Sequence, residues 1–285
     1  MTRLDVRKTY KLYIGGDFPR SESGRSYPAL DAAGEVVARV ALASRKDLRD
    51  AVRAARTALG GWSGRTGYNR GQVLYRIAEM VEDRSDTFVG QLRLGGLGRK
   101  EASREVEQAI DRIVWYAGWC DKFPQVFGNL NPVAGPYFNI STPEPVGVVG
   151  VIAPDRPALL GLVSRLAPVL VGGNTAVVVA SPSRPMPAVT FAEALATADV
   201  PAGVVNILTG SAEELAPWMA SHLDVDGIDL AGAPAGMVAS LEEAAAEGVT
   251  RVLRPAAEPD WDTAQSPFQI AAFTETKTVW HPKGR

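Results

Sequence analysis

The chain has 285 residues, of which 46% are apolar and 22% charged, and its net charge is −2. That length is enough to bury a sizeable core as one large or two modest domains. The near-neutral charge gives no reason to expect nucleic acid or an anionic membrane as a partner.

The first elements are short. Lys11 to Ile14 reads as a strand closed by the turn Gly15-Gly16-Asp17, and Val36 to Val40 as another after Gly34. The opening MTRLDVRKTYKLYIGG has no apolar core of signal-peptide length, and Arg165, Pro168 and Gly172 interrupt the longest apolar run before it reaches a membrane span. Cys120 is the only cysteine, so a reducing, cytoplasmic setting is expected. Ser44 followed by Asp47 is a capping signature, because a hydroxyl and a carboxylate satisfy the free amides of a first helical turn. Leu48, Ala51, Val52, Ala55 and Leu59 then recur at helical spacing. Further helices are predicted over 70–94 and 100–123. Cys120 falls in the apolar stripe of the latter, with Val106, Ala109 and Ile113, and reads as a packed core thiol rather than a nucleophile.

From Asn129 to Pro145 the texture turns to Pro, Gly and Asn around a strand-like Tyr137 to Thr142, which suggests an extended arm. Strands are then predicted over 146–152, 175–179, 204–208, 227–231 and 251–253. Helices are predicted between them over 159–171, 188–198, 213–222 and 237–247. Short β-branched strands alternating with helices predict an α/β fold with a Rossmann-like, doubly wound parallel sheet. Past Arg254 the pattern fails. Residues 255–267 read as a linker, and FQIAAFTETKTVWHP closes the chain with a strand from Thr276 to Trp280.

The wording PVGVVGVIAPDRPALL, GGNTAVVV and PAGVVNILTG resembles the aldehyde dehydrogenase superfamily. LYIGG, GEVVARVALAS and YAGWCDK extend the resemblance, so that residues 10–254 follow the N-terminal half of a family enzyme in order. The segments APDRPALLGLVSRLAP and NPVAGPYFNISTPEPVGV, joined to a short linker and this tail, are similar to the truncated C-terminal half of family 16 aldehyde dehydrogenases. The resemblance implies a nucleotide-binding-type domain over 1–254 with an arm at 129–145. It also implies a linker over 255–267 in place of a catalytic domain, and an oligomerisation strand over 268–285. The arm residues Tyr137, Phe138 and Ile140 and the tail residues Thr276, Lys277, Val279 and Trp280 would then serve assembly.

By the same resemblance, Arg156 occupies the place of the family's oxyanion-binding Asn. No acid lies between Val249 and Ala257, where the family has its general base, and the nucleophilic cysteine segment has no counterpart. Val179 and Pro182 fall where a Lys and a Glu hold the cofactor ribose. Ile152, Pro154, Ser181, Gly210 and Gly232 are the positions left to touch a nucleotide. His222 and His281 stand apart, so no metal site is expected. The expectation is a non-catalytic subunit, with no cofactor, that assembles with itself or with a full-length aldehyde dehydrogenase. The alternatives are NAD(P)-dependent aldehyde oxidation expressed only within a hetero-oligomer, and a nucleotide-binding regulatory module in the crevice near Pro154 and Gly210.

Overall fold

Five short apolar strands form the centre of the molecule, and as parallel neighbours they need cover on both faces. The computed structural model describes residues 7–254 and 259–284. Its central strands are β6 (Val148–Ile152), β7 (Thr175–Val179), β8 (Val205–Leu208), β9 (Gly227–Asp229) and β10 (Arg251–Leu253). They lie in the order β10-β9-β6-β7-β8, all parallel. The order reverses between β6 and β9, which is the doubly wound topology predicted from the alternation of strands and helices.

The reversal puts the crossover helices before β8 and those after it on opposite faces. Val149 and Val151 of β6 face a core shared with α6 (Leu160–Val171) and α7 (Met186–Leu195). Val148 and Ile152 face the other core, shared with α1 (Arg45–Ser63), α8 (Ala212–Ala220) and α9 (Val238–Glu247). Behind α6 and α7 lie α2 (Gly67–Glu82), α3 (Ser85–Leu94) and α4 (Arg99–Ala117). Every residue of α6 is buried, as expected of a helix packed on two sides. The capping signature at Ser44 forms: its hydroxyl accepts from the amides of Lys46 and Asp47, and the Asp47 carboxylate accepts from the Ser44 amide.

Several boundaries differ from the sequence expectation. Lys11 to Ile14 forms only isolated bridges, at Tyr13 to Ile207 and Ile14 to Asp17, because the chain turns back at once through Gly15 and Gly16. The N-terminal strands are instead β1 (Thr9–Tyr10), β2 (Ser26–Leu30) and β3 (Val36–Ala41). The helix expected over 70–94 breaks at Asp83 and Arg84. There the Arg84 guanidinium donates to the Met80 carbonyl and closes the end of α2. The helix expected to reach Phe123 stops at Ala117 before Gly118, and the short α5 (Phe123–Phe127) follows. Cys120 is buried as expected, but in the turn after α4 rather than within the helix.

Residues 255–258 of the predicted linker lie outside the described residues. The rest of it, 259–266, forms a strap along α4 and leads into α10 (Pro267–Ala271), a helix the sequence reading missed. Four α4 residues spaced four apart hold the strap and α10. Arg104 pairs with Asp262, and Gln108 donates to the same carboxylate at 2.8 Å. Arg112 donates to the carbonyls of Ala264 and Trp261 at 2.5 and 2.7 Å and to the Ser164 hydroxyl of α6 at 2.7 Å. Tyr116 donates to Gln269 at 2.9 Å. This spacing follows from the helix, where positions four apart share one face.

The arm keeps its predicted span, but its strand and the tail strand are longer than the expected 137–142 and 276–280. β5 (Tyr137–Pro145) pairs antiparallel with β4 (Asn129–Asn131) on one side and with the tail strand β11 (Thr274–Pro282) on the other. β11 leaves its outer edge without a neighbour among the described strands. Arg112→Ala should lower unfolding stability by about 3 kcal/mol, because one guanidinium carries three charge-assisted hydrogen bonds. Urea unfolding together with limited proteolysis at 259–266 checks this. Unchanged stability with unchanged cleavage would remove Arg112 as the anchor.

Candidate functional site

In an open α/β sheet, ligands gather at the carboxyl ends of the strands where the order reverses. Here that point lies between Ile152-Ala153-Pro154, after β6, and Leu230-Ala231-Gly232, after β9. Gly232 donates its amide to the Ile152 carbonyl at 2.8 Å. A Cβ on Gly232 would stand 2.0 Å from the Ala153 carbonyl oxygen, so only glycine allows this approach. The neighbouring amides are also taken up. Ala231 donates to Asp229 and Ala233 donates to the Leu230 carbonyl.

Polar side chains around the reversal close on one another. Asp155 accepts from the hydroxyl of Ser181 at 2.5 Å and of Ser183 at 2.7 Å. Burial acts to raise the Asp155 carboxyl, but these hydroxyls, with the Ser183 main chain and the Arg184 charge, outweigh it and hold the group below its ordinary range. Asp229, wholly buried, accepts from Nε of Arg165 on α6 at 2.7 Å and pairs with its second nitrogen at 2.7 Å. Glu105 of α4 accepts from the Leu159 and Leu160 amides and so caps α6 from a distance. Burial pushes this carboxyl upward against those two amides. The sequence reading missed Glu105, Asp155, Arg165, Arg184, Asp229 and Trp261, because their partners lie far away in the chain or in the strap.

Two clefts open beside these contacts. The larger, about 840 Å³, runs from the β2–β3 turn past the α3–α4 loop to Arg184. The smaller, about 630 Å³, lies over Leu230, Ala233 and Val238. Arg156 and Trp261 line both. Among the described residues, no cluster of His, Cys, Asp and Glu could hold a metal ion, and no helix is long and apolar enough to cross a membrane.

The sequence profile of the aldehyde dehydrogenase family matches residues 19–254. The chain belongs to this family. It is 33% identical over 237 residues to cytosolic 10-formyltetrahydrofolate dehydrogenase of Mus musculus, a match covering 81% of this chain and 26% of that protein. It is 35% identical over 235 residues to retinal dehydrogenase 2 of Mus musculus, covering 80% and 45%. The NAD+ complex of aldehyde dehydrogenase from Bacillus cereus superposes with a TM-score of 0.80 at 26% identity, covering 86% of this chain and 50% of that one. The chain thus spans half or less of the length of these relatives, and the profile match ends where the strap region begins.

Within this aldehyde dehydrogenase domain the predicted site residues do not all converge. Pro154 lines the smaller cleft, Pro182 the larger, and Arg156 both. Ile152 and Val179 are buried at the ends of β6 and β7, and Ser181 is buried with its hydroxyl on Asp155. Gly210 lines neither cleft and packs against Leu42 and Ala43. Cys120 lies elsewhere, beside Gly67 and Gly71 of α2, with its sulfur 3.7 Å from the Tyr116 carbonyl.

Burial pushes the Cys120 thiol up to about 12. Its folded value therefore exceeds its unfolded one, and its contribution to stability is intact below about pH 8.5 and is lost as pH rises toward the folded value. The native chain should resist a thiol-directed reagent at pH 8 and take up one label when unfolded in urea. Rapid labelling of the native chain would contradict the assignment of Cys120 as a sealed core thiol.

Proposed function

We propose that this chain is a non-catalytic member of the aldehyde dehydrogenase family whose work is assembly, with itself or with a full-length aldehyde dehydrogenase. The observation that carries the proposal is the arm. Register places Leu130, Ile140 and Val279 side by side on one face of the β11-β5-β4 sheet, and all three are exposed. Phe138 continues this face, and the Lys277–Glu144 ion pair lies along it at 3.0 Å. On the opposite face Trp280 meets Tyr137 edge to face at 5.9 Å. Thr276, opposite Pro143, shares that second face. Beyond them runs the outer edge of β11, whose main chain can add to a partner's sheet.

The reading of no catalysis rests on the lone thiol and on the crevice. Cys120 is buried and protonated, whereas acyl transfer needs an exposed thiolate. The residues at the strand ends do not fit NAD(P). Val179 and Pro182 offer a ribose no side-chain donor or acceptor, the amides of 231–233 are already bonded, and Ser181 is held by Asp155. The fold in this reading is kept as a scaffold. A reducing cytoplasm suits a chain with one free thiol.

Light scattering of the chain alone, and mixed with a full-length aldehyde dehydrogenase, tests the proposal. Association is expected in at least one arm. The double substitution Ile140→Lys and Val279→Lys should weaken it at least tenfold, roughly the effect of removing a hot spot, without changing the circular dichroism. A chain that stays monomeric in both arms, or that forms NADH from an aldehyde by itself, would overturn the reading.

A further inference from the structure

The larger cleft is lined by two arginines, Arg156 and Arg184, and neither forms an ion pair among the described residues. Three carboxylates line it, and each is already engaged by main-chain amides. Asp31 accepts from Ala33 and Glu35, Glu101 from Gly98, and Glu105 from Leu159 and Leu160. The cations of the cleft are less fully engaged, although Asp155 and Glu105 act on Arg184 from beyond ion-pair distance. Arg184 donates one N–H to the Gly95 carbonyl at 2.8 Å, and no carboxylate among the described residues lies within ion-pair distance of it. Arg156 is exposed and makes no hydrogen bond or ion pair with any described residue. Trp261, on the strap, also lines the cleft, and its indole Nε1–H is buried without an acceptor among the described residues.

We propose that this cleft binds a small organic anion, a carboxylate or a phosphate carried on a flat apolar body, through Arg156 and Arg184. Guanidinium groups suit planar oxyanions because their N–H donors form a rigid fork. Pro28, Leu30, Pro157 and the Trp261 ring supply apolar wall for the body of the ligand, and a volume of about 840 Å³ is that of a small-molecule pocket. Burial, and then the positive charge of Arg156, lower the pKa of Arg184 against the opposing pull of Asp155 and Glu105. Two like charges are therefore held near each other, and an anion between them would relieve their repulsion. Neither arginine belongs to the arm, so the site stands or falls independently of assembly.

Phenyl phosphate, benzoate and inorganic phosphate titrated into the full chain, with the indole N–H resonances as readout, test this. One of the six tryptophan signals should shift saturably. That signal should be the one missing from Trp261→Phe. Arg156→Gln should weaken binding of the organic probes about tenfold or more, the effect of one lost charge-assisted hydrogen bond. Arg184→Gln should do the same. Because Arg184 also holds Gly95, the exposed Arg156 is the deciding variant, with urea midpoints as the check on folding. A response to one organic probe alone supports the site and names its anion. No saturable shift with either organic probe up to about 10 mM, or equal affinity in Arg156→Gln, would overturn it.

Discussion

A parallel sheet cannot leave either face in water, and here the cover of β9 comes from residues far along the chain. The doubly wound order places α6 and α7 over β6, β7 and β8 on one face, and α8 and α9 on the opposite face. On the first face β9 has no crossover helix above it. Phe273 covers the gap, with its ring where a Cβ on Gly227 would stand 2.8 Å away. Ile270 of α10 is buried beside α6 in the same core. The strap and its four α4 anchors hold this lid, so the central sheet depends on a segment outside the stretch that matches the family profile.

The same constraint shapes the crevice. Asp229 is the other β9 residue on that face, and it is buried against Arg165 of α6. A buried pair of this kind adds little net stability, since desolvation offsets attraction, but losing one partner would strand a charge. It therefore fixes α6 against β9 and also supplies the acceptor for Ala231. Gly232, Asp155 and Ser181 complete a set of contacts directed inward. Open space remains beside these strand ends, in the two clefts that Arg156 and Trp261 both line.

Much of this was legible in the sequence, because the sheet is written in local patterns. β-branched runs and their spacing gave the five strands and their helices, and Ser44 with Asp47 gave the start of α1. The break at Arg84 was not legible, since the apolar stripe runs through it and the deciding contact is a side chain reaching the Met80 carbonyl. The strap was hidden for a related reason. Arg104, Gln108, Arg112 and Tyr116 share a helical face, but their partners are mostly backbone carbonyls and an acid in a stretch without periodicity. No local pattern marks the crevice residues Asp155, Arg165 and Asp229, because their partners lie at distant positions that only the fold brings together. Gly232 was legible as a landmark, and its reason turned out to be a close backbone approach.

Phe273 also bears on the order of events as the chain folds. Its carbonyl accepts from the Val146 amide at 3.2 Å and from the Asn174 side chain at 2.9 Å, which in turn holds Gly147. One residue thus ties together the start of β6, the turn before β7 and the face of β9. Contacts this distant in sequence carry a large loop-closure cost and form late. On a ribosome the first 254 residues would emerge with one face of β9 still open. The native sheet is sealed only when the tail arrives, so the last described helix and strand act as a completion signal for the whole domain.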